Sequence, residues 1–314
     1  MLYAVDPRDG GGIEEVDIVP APSSKEFRIN FFDNSHDWLK SYIDSVSSNV
    51  DGFFIDTFFG DDILNDDVSG SRAKLSFSTR RVLGEPVGYK FGVSVKLVLP
   101  NTDDKLNLLL ESSEDEDENE ERQNDAVSTV ENVEYSTALR YIFTETERWK
   151  VNFDTGVRWG IPSDPFTRLK LRRYAYFDDS QARTTQTIFW SGIDGFGEKT
   201  SFELNRPLNI DRLIRFSMDA EYLVNNDYFD LGYGVSLFHE LNKKEVFSYY
   251  LSAKGDTIND ATFNGYAVGV RYRRKVYQDW MFVEVNPELE TQRETEYDIT
   301  PIIMFRFEAL IGVR

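Results

Sequence analysis

The chain of 314 residues has no cysteine, so neither a disulfide nor a thiolate metal site is open to it. Histidine occurs twice, at His36 and His239, and neither has the Cys or second His that a zinc set needs. Nowhere do apolar residues run for the 18 to 20 positions, roughly, that a membrane-crossing helix requires. Basic residues are in deficit, with 35 Lys and Arg against 55 Asp and Glu and a formal net charge of −20. That balance argues against a nucleic-acid partner, because phosphate binding needs clustered cations. The opening MLYAVDPRDGGG is too short and too acidic for a signal peptide, so an exported protein is expected to have lost its leader already.

Aromatic residues, by contrast, are plentiful. They make up 14% of the chain, with 24 Phe and 16 Tyr, and favour strands and interfaces. In GYKFGVSVKLVLP, Tyr89, Phe91, Val93, Val95, Leu97 and Leu99 alternate with Lys90, Gly92, Ser94, Lys96 and Val98. Successive side chains on a strand point to opposite faces, so one face here is apolar throughout and the other carries two lysines. From Ser71 onward this period of two persists. It predicts about fourteen strands, near residues 71–84, 88–100, 104–113, 133–147, 149–160, 166–177, 182–194, 197–208, 211–226, 228–241, 245–257, 261–277, 279–292 and 299–312. Twelve is the count if two short strands merge, and 182–194 is the least regular of the set.

Three regions follow. Residues 1–33 are rich in Gly, Pro, Asp and Glu and read as an irregular tail. Residues 34–66 hold an amphipathic helix over about 36–50, where Trp38, Tyr42, Val46 and Val50 recur at helical spacing behind possible caps at Asp33, Asn34 or Ser35. It is expected on the periplasmic side, packed on its own domain, plugging the barrel or lying on a membrane surface. Residues 71–312 are expected to form an antiparallel up-and-down transmembrane β-barrel. Taking the C-terminus as periplasmic, NTDD, TERW, DDSQ, LNID, NKKE and VYQD fall at one end. The acidic loop 113–132, GIPSDP and TQRETEYD fall at the other, as outer-membrane barrels require.

A soluble sandwich also alternates but buries its apolar face, so the pattern needs support. The polar parity supplies some, being rich in long charged side chains of both signs that can pair across strands. Arg168, Lys170, Arg172, Arg215, Arg271 and Arg273 are expected to face inward, with Glu203, Asp219, Glu221, Glu284 and Glu308 as partners; otherwise they line a pore and bias its selectivity. Each would cost about 2–4 kcal/mol against lipid at midplane, which selects the interior. On the other parity, Tyr89, Phe91 and Trp159 gather near one end and Tyr141, Phe143 and Trp149 near the other, like the girdles at two membrane interfaces.

The segments RVLGEPVGYKFGVSVKLVLPNTDDKLNLLLESSEDEDE, GVRYRRKVYQDWMFVEVNPELE and PIIMFRFEALIG resemble outer-membrane β-barrel proteins of Gram-negative bacteria. More narrowly they are similar to a proteobacterial barrel family with a short N-terminal helix. The likeness covers about residues 36–312 and implies a bacterial outer-membrane location. It specifies architecture far better than activity. One departure is that such barrels usually finish on an aromatic residue, whereas this chain ends IGVR after Phe305 and Phe307.

Chemistry is sparse, and no catalytic residue, metal site or cofactor is assigned. Ser236 and His239, in VSLFHELNKK, are three apart on a strand and therefore point to opposite faces. GFGEK, around Gly195 and Gly197, reads as a hairpin turn, since no helix follows to make a phosphate loop. EDEDENEE, Glu114 to Glu121, is a solvated loop, a cation-attracting mouth or a weak Ca²⁺ site lacking EF-hand order. Two functions stay open: a passive channel for small polar solutes or ions, and a closed barrel serving as a scaffold. An enzyme would need a cluster that these residues do not assemble. Lipid and lipopolysaccharide are the expected surroundings, with a periplasmic or surface protein partner reached through 34–66 or loop 113–132.

Overall fold

A computed structural model of the chain describes residues 70–99, 102, 105–112, 135–146, 148–177, 180–258, 262–277 and 280–312. The tail 1–33, the helix segment 34–66 with His36, and the acidic loop 113–132 lie outside the described residues.

Fourteen strands follow one another: β1 Arg72–Val82, β2 Gly88–Val98, β3 Leu106–Ser112, β4 Tyr135–Glu145, β5 Trp149–Trp159, β6 Asp164–Phe177, β7 Ser180–Ser191, β8 Gly195–Asn209, β9 Arg212–Leu223, β10 Phe229–Asn242, β11 Glu245–Asp256, β12 Thr262–Tyr277, β13 Met281–Gln292 and β14 Thr300–Ile311. Each pairs with its sequence neighbours, and β1 pairs antiparallel with β14 from Ala73↔Ile311 to Val82↔Ile302, which closes the ring. Closure leaves no strand at an edge of the sheet, although among the described residues β2 pairs with β3 only from Val95↔Leu110 to Val98↔Asn107. Fourteen strands about 4.8 Å apart, tilted by about 40°, close a ring about 28 Å across between backbones. The one helical element among the described residues is a 3-10 turn, Arg293–Thr295; no described helix is long and apolar enough to cross a membrane.

Because every pairing except the closing one of β1 with β14 joins consecutive strands, the connections alternate between two ends of the ring. At the turn end, β4 passes to β5 through Thr146, whose N–H donates to the Trp149 carbonyl, and β10 to β11 across Asn242, whose side chain accepts from Lys244 N–H. At the loop end lie Leu83–Val87, Gly160–Ser163 and Arg293–Ile299. The expected turn at GFGEK is displaced: the chain reverses at Gly192–Asp194, and GFGEK opens β8. The physical reason lies in its two glycines. Gly195 has a φ of +78°, a conformation that favours glycine and ends the turn. At Gly197 an added Cβ would run into the Phe189 ring across the pair β7–β8.

Alternation decides what each face meets. On β1, Lys74, Ser76 and Ser78 point inward and are buried, while Leu75, Phe77 and Thr79 point outward. β2 continues this, with Ser94 and Lys96 inward and Tyr89, Phe91 and Val93 outward. Apolar side chains such as Phe77, Leu139, Val157, Phe216, Val235, Leu251, Val268 and Phe305 stand exposed around the outside. The exception is on β7 and β8, where Thr184, Gln186, Glu198 and Thr200 also face outward. Gln186 links them, accepting from Thr200 Oγ1 at 2.5 Å and donating to Glu198 at 3.5 Å.

Candidate functional site, the barrel interior

The interior is a polar surface assembled row by row from the register. One row runs Asn152, Lys170, Thr187, Lys199 and Glu221 across β5 to β9. The row above it runs Asp154, Arg168, Phe189 and Gly197, and the row below runs Lys150, Arg172, Thr185, Ser201 and Asp219. The six basic and five acidic residues picked out by parity all lie on this inner face.

Their partners differ from strand to strand. Arg273 reaches both Glu284, at 3.2 Å, and Glu308, while Arg271 lies 3.3 Å from Glu284. Arg215 stands 3.9 Å from Glu203 but hydrogen-bonds Asn205 at 2.7 Å. Arg168 takes carboxylates outside the expected set, Asp154 at 2.6 Å and Glu111 at 2.9 Å. Glu221 pairs with Lys199 at 3.3 Å, and Asp219 lies against Gly232, in whose place a side chain would meet its carboxylate. Arg172 sits directly opposite Lys150, and Arg72 directly opposite Lys96. Like charges opposed across a pair are destabilising unless something negative lies between or above them.

Several interior residues were not singled out by sequence. Asp154 is gripped by Arg140 through Nε at 2.7 Å and Nη2 at 2.8 Å while Arg168 bonds the same carboxylate. Arg183 donates to Glu203 at 2.5 Å. Tyr250 donates to Asn286 at 3.0 Å and to Glu288. All stand on the polar parity of regular strands, which was the available signal; what parity lacks is the partner, because that depends on register. The inner face also carries apolar residues. Leu109, Ala138 and Phe166 form one buried cluster and Val246, Phe282 and Leu310 another, with Phe238 packed on the second.

Exposure divides this surface into two arcs. Over β1–β5 and β11–β14 it is nearly nil at many positions: Ser94 and Arg273 are 0% exposed, Glu308 1%, and Lys74 and Lys96 2%, although Arg80 and Arg158 near the loop end keep 20% and 28% of their side chains exposed. Over β6–β9 several charged side chains keep contact with the interior space, from 13% for Lys199 and Glu203 through 17% for Arg183 to 32% for Glu221, while Arg172 and Asp164 on β6 are buried.

On the outer face, Tyr89, Phe91 and Trp159 stand exposed at the loop end and Tyr141, Phe143 and Trp149 at the turn end. Tyr141 meets Phe143 edge-on at 5.0 Å, and Arg173 covers Trp149 at 5.2 Å. Further around, Tyr222 with Phe229 continues the first band and Phe247 with Tyr249 and Tyr272 the second. Ser236 is buried on the inner face, whereas His239 pairs with outward Phe247 and lies 3.4 Å from Asp211 at the turn end. The two do not meet. No cluster of His, Asp and Glu suited to a metal ion occurs among the described residues.

No protein-family model matches the chain, and no curated protein does. Among solved structures it is similar to the outer membrane channel DcaP of Acinetobacter baumannii, with 7% identity over 77% of this chain and 96% of that one and a TM-score of 0.47. OmpT of Vibrio cholerae, an outer membrane protein, gives 9% identity over 76% and 96% with a TM-score of 0.44. A KdgM porin in complex with disordered oligogalacturonate gives 8% over 75% and 98% with a TM-score of 0.38.

Proposed function

We propose that the chain spans the bacterial outer membrane as a β-barrel and acts there as a passive channel for small polar solutes or ions. The observation that carries this reading is the inversion of the closed ring, apolar outside and charged inside. A soluble barrel of the same pattern would turn its apolar face to the core. Lipid is the solvent that suits Phe77, Val235, Val268 and Phe305, with aromatic bands at two levels where its headgroups would lie.

The route for solutes is the arc over β6–β9, where Arg168, Lys170, Arg183, Lys199, Arg215, Glu203 and Glu221 present both signs of charge to the interior. Barrels of eight strands are filled by their own side chains, and those of about sixteen to eighteen leave an aqueous channel; fourteen lies toward the second class. Transport of this kind is passive and involves no covalent chemistry. The test is recording from the purified full-length protein in planar bilayers. Discrete conductance steps that shrink when polar polymers enter the barrel are expected, and current no greater than leak would overturn the reading.

The covered arc favours a second reading, a barrel whose interior is occupied and which serves as a scaffold for a periplasmic or surface protein. A variant lacking residues 1–66 that gains conductance, or that loses a partner captured by the full chain, would favour that scaffold.

A further inference from the structure

We propose that two copies of this chain pair in the membrane through the outer faces of β7 and β8, about a two-fold axis along the membrane normal. The inference builds on the outer-membrane reading above and starts from the side of the barrel that suits lipid least. Over β10–β14 the outward mid-strand positions are apolar, as at Val235, Leu251, Val268 and Phe305. On β7 and β8 the corresponding positions hold Thr184, Gln186 and Thr200, with both threonines exposed. Thr184 and Gln186 stand fifth and seventh in the twelve residues of β7, and Thr200 lies directly opposite Gln186. A tilted strand crosses hydrocarbon in about 9–11 residues, so all three fall within the apolar layer.

Within one copy these groups are only partly served. Gln186 accepts from Thr200, but its amide reaches Glu198 only at 3.5 Å. The residues opposite Thr184 are Arg173 and Phe202, and neither side chain can accept from its hydroxyl. Hydrocarbon supplies no partner either, so lipid against this patch leaves polar groups unsatisfied. Glu198 is two residues nearer the loop end, opposite Tyr222 of the aromatic band, where headgroups and water reach it.

A second copy is the occupant that this patch specifies. Barrels related by rotation about the membrane normal meet at equal depth, so Thr184, Gln186 and Thr200 of one face the same three of the other. Each of these side chains both donates and accepts hydrogen bonds, which makes the patch complementary to itself. Ala175, Ala182 and Ala220 border it, and small side chains let backbones in a membrane approach closely. Among the described residues Gln186 is the one amide that faces outward in mid-strand, and outward Thr155 and Thr167 extend the polar strip along the same side. One polar side per barrel fits a two-fold contact, whereas a three-fold ring joins two different faces of each copy.

The absence of native cysteine makes a direct test available. Thr184→Cys and Thr200→Cys report the patch, and Val268→Cys and Phe305→Cys the far side, each placed singly in the full-length protein in phosphatidylcholine vesicles at low protein density. Identical positions meet at a two-fold axis, so oxidation is expected to link the first two at least about tenfold faster than the others. Adding Gln186→Leu, which suits lipid and removes the amide, should slow the linking of Thr200→Cys by on the order of tenfold. Ile188→Leu, an apolar change beside it, should leave that rate as it was. Equal rates at all four positions, a rate at Thr200→Cys that Gln186→Leu leaves unaltered, or a native mass of three chains in nanodiscs would overturn the proposal. Flotation reads insertion separately. A chain that stays out of the vesicles overturns the outer-membrane reading and the pairing together, whereas one that inserts and links no faster at the patch overturns the pairing alone.

Discussion

The two arcs of the interior use the same residue types for different ends. On β11–β14, Arg273 is fully buried between Glu284 and Glu308, and Tyr250 is tied to Asn286 and Glu288. On β6–β9, Lys199 with Glu221 and Arg183 with Glu203 keep part of each side chain in contact with the interior space. Burial changes what an ion pair is worth. A partner removed from a buried pair leaves an uncompensated charge, whereas an exposed pair exchanges its partner for water at little loss. One arc therefore holds the barrel together, and the other is free to serve passage.

The largest contrast is expected at Arg273. Arg273→Met leaves Glu284 and Glu308 facing each other without their shared cation and should lower stability by about 3–5 kcal/mol. Equilibrium unfolding in detergent, followed by tryptophan fluorescence, measures it. A loss below about 1 kcal/mol would mean that water reaches this arc and that the division by exposure fails.

Next in size is a change that sets either arc against the outside. Val235 faces outward midway along β10, beside Phe216 and Leu251. Val235→Arg should cost about 2–4 kcal/mol, as for a cation at the lipid midplane, whereas Ser201→Arg on the open inner arc should change stability by less than about 1 kcal/mol. Comparable losses at both positions would undo the assignment of inside and outside.

These expectations draw on features that differ in how far sequence alone displays them. Strand count and inside–outside parity are legible because two solvents impose a period of two on every strand from β1 to β14. β7 is less regular for an identifiable reason: polar Thr184 and Gln186 face outward, Gln186 bonding Thr200 and Glu198 of β8 across the sheet, and Phe189 turns inward onto Gly197. Leu109 is hidden within a run of three leucines, and Phe282 looks like one more apolar residue, although both face inward. The ion-pair partners are the least legible. Asp154 joins Arg140 and Arg168 through the alignment of β4, β5 and β6, and a period of two leaves that alignment open to slips of two residues.

Packing gives a smaller effect in the same covered arc. A Cβ at Gly269 would run into the Tyr250 ring, whose hydroxyl is held by Asn286 and Glu288. Gly269→Ala should destabilise by about 1–3 kcal/mol, since a buried and tethered ring has little room to withdraw. Gly232→Ala meets the Asp219 carboxylate instead, the end of a half-buried side chain, and should lose less. Unfolding midpoints of the two variants compare the covered arc with the β9–β10 boundary of the open one; equal losses would mean that this boundary is as tightly packed as the covered arc.

The smallest change in stability is expected at Lys199, and there the comparison turns toward transport. Lys199→Met removes a partly exposed partner of Glu221, which water can serve instead, so stability should fall by only about 0.2–1 kcal/mol. Its charge nonetheless stands where solutes would pass. Removing one cation from a lining that presents both signs shifts the balance toward cations, and the reversal potential under a salt gradient should move in the cation-selective direction. Because exposed charges are screened within about 10 Å at 0.1 M salt, the shift should shrink as salt is raised. Neutralising Lys74, by contrast, should leave the reversal potential nearly unchanged, because that side chain is shut away from the interior space. A larger shift from Lys74→Met than from Lys199→Met would exchange the roles assigned to the two arcs.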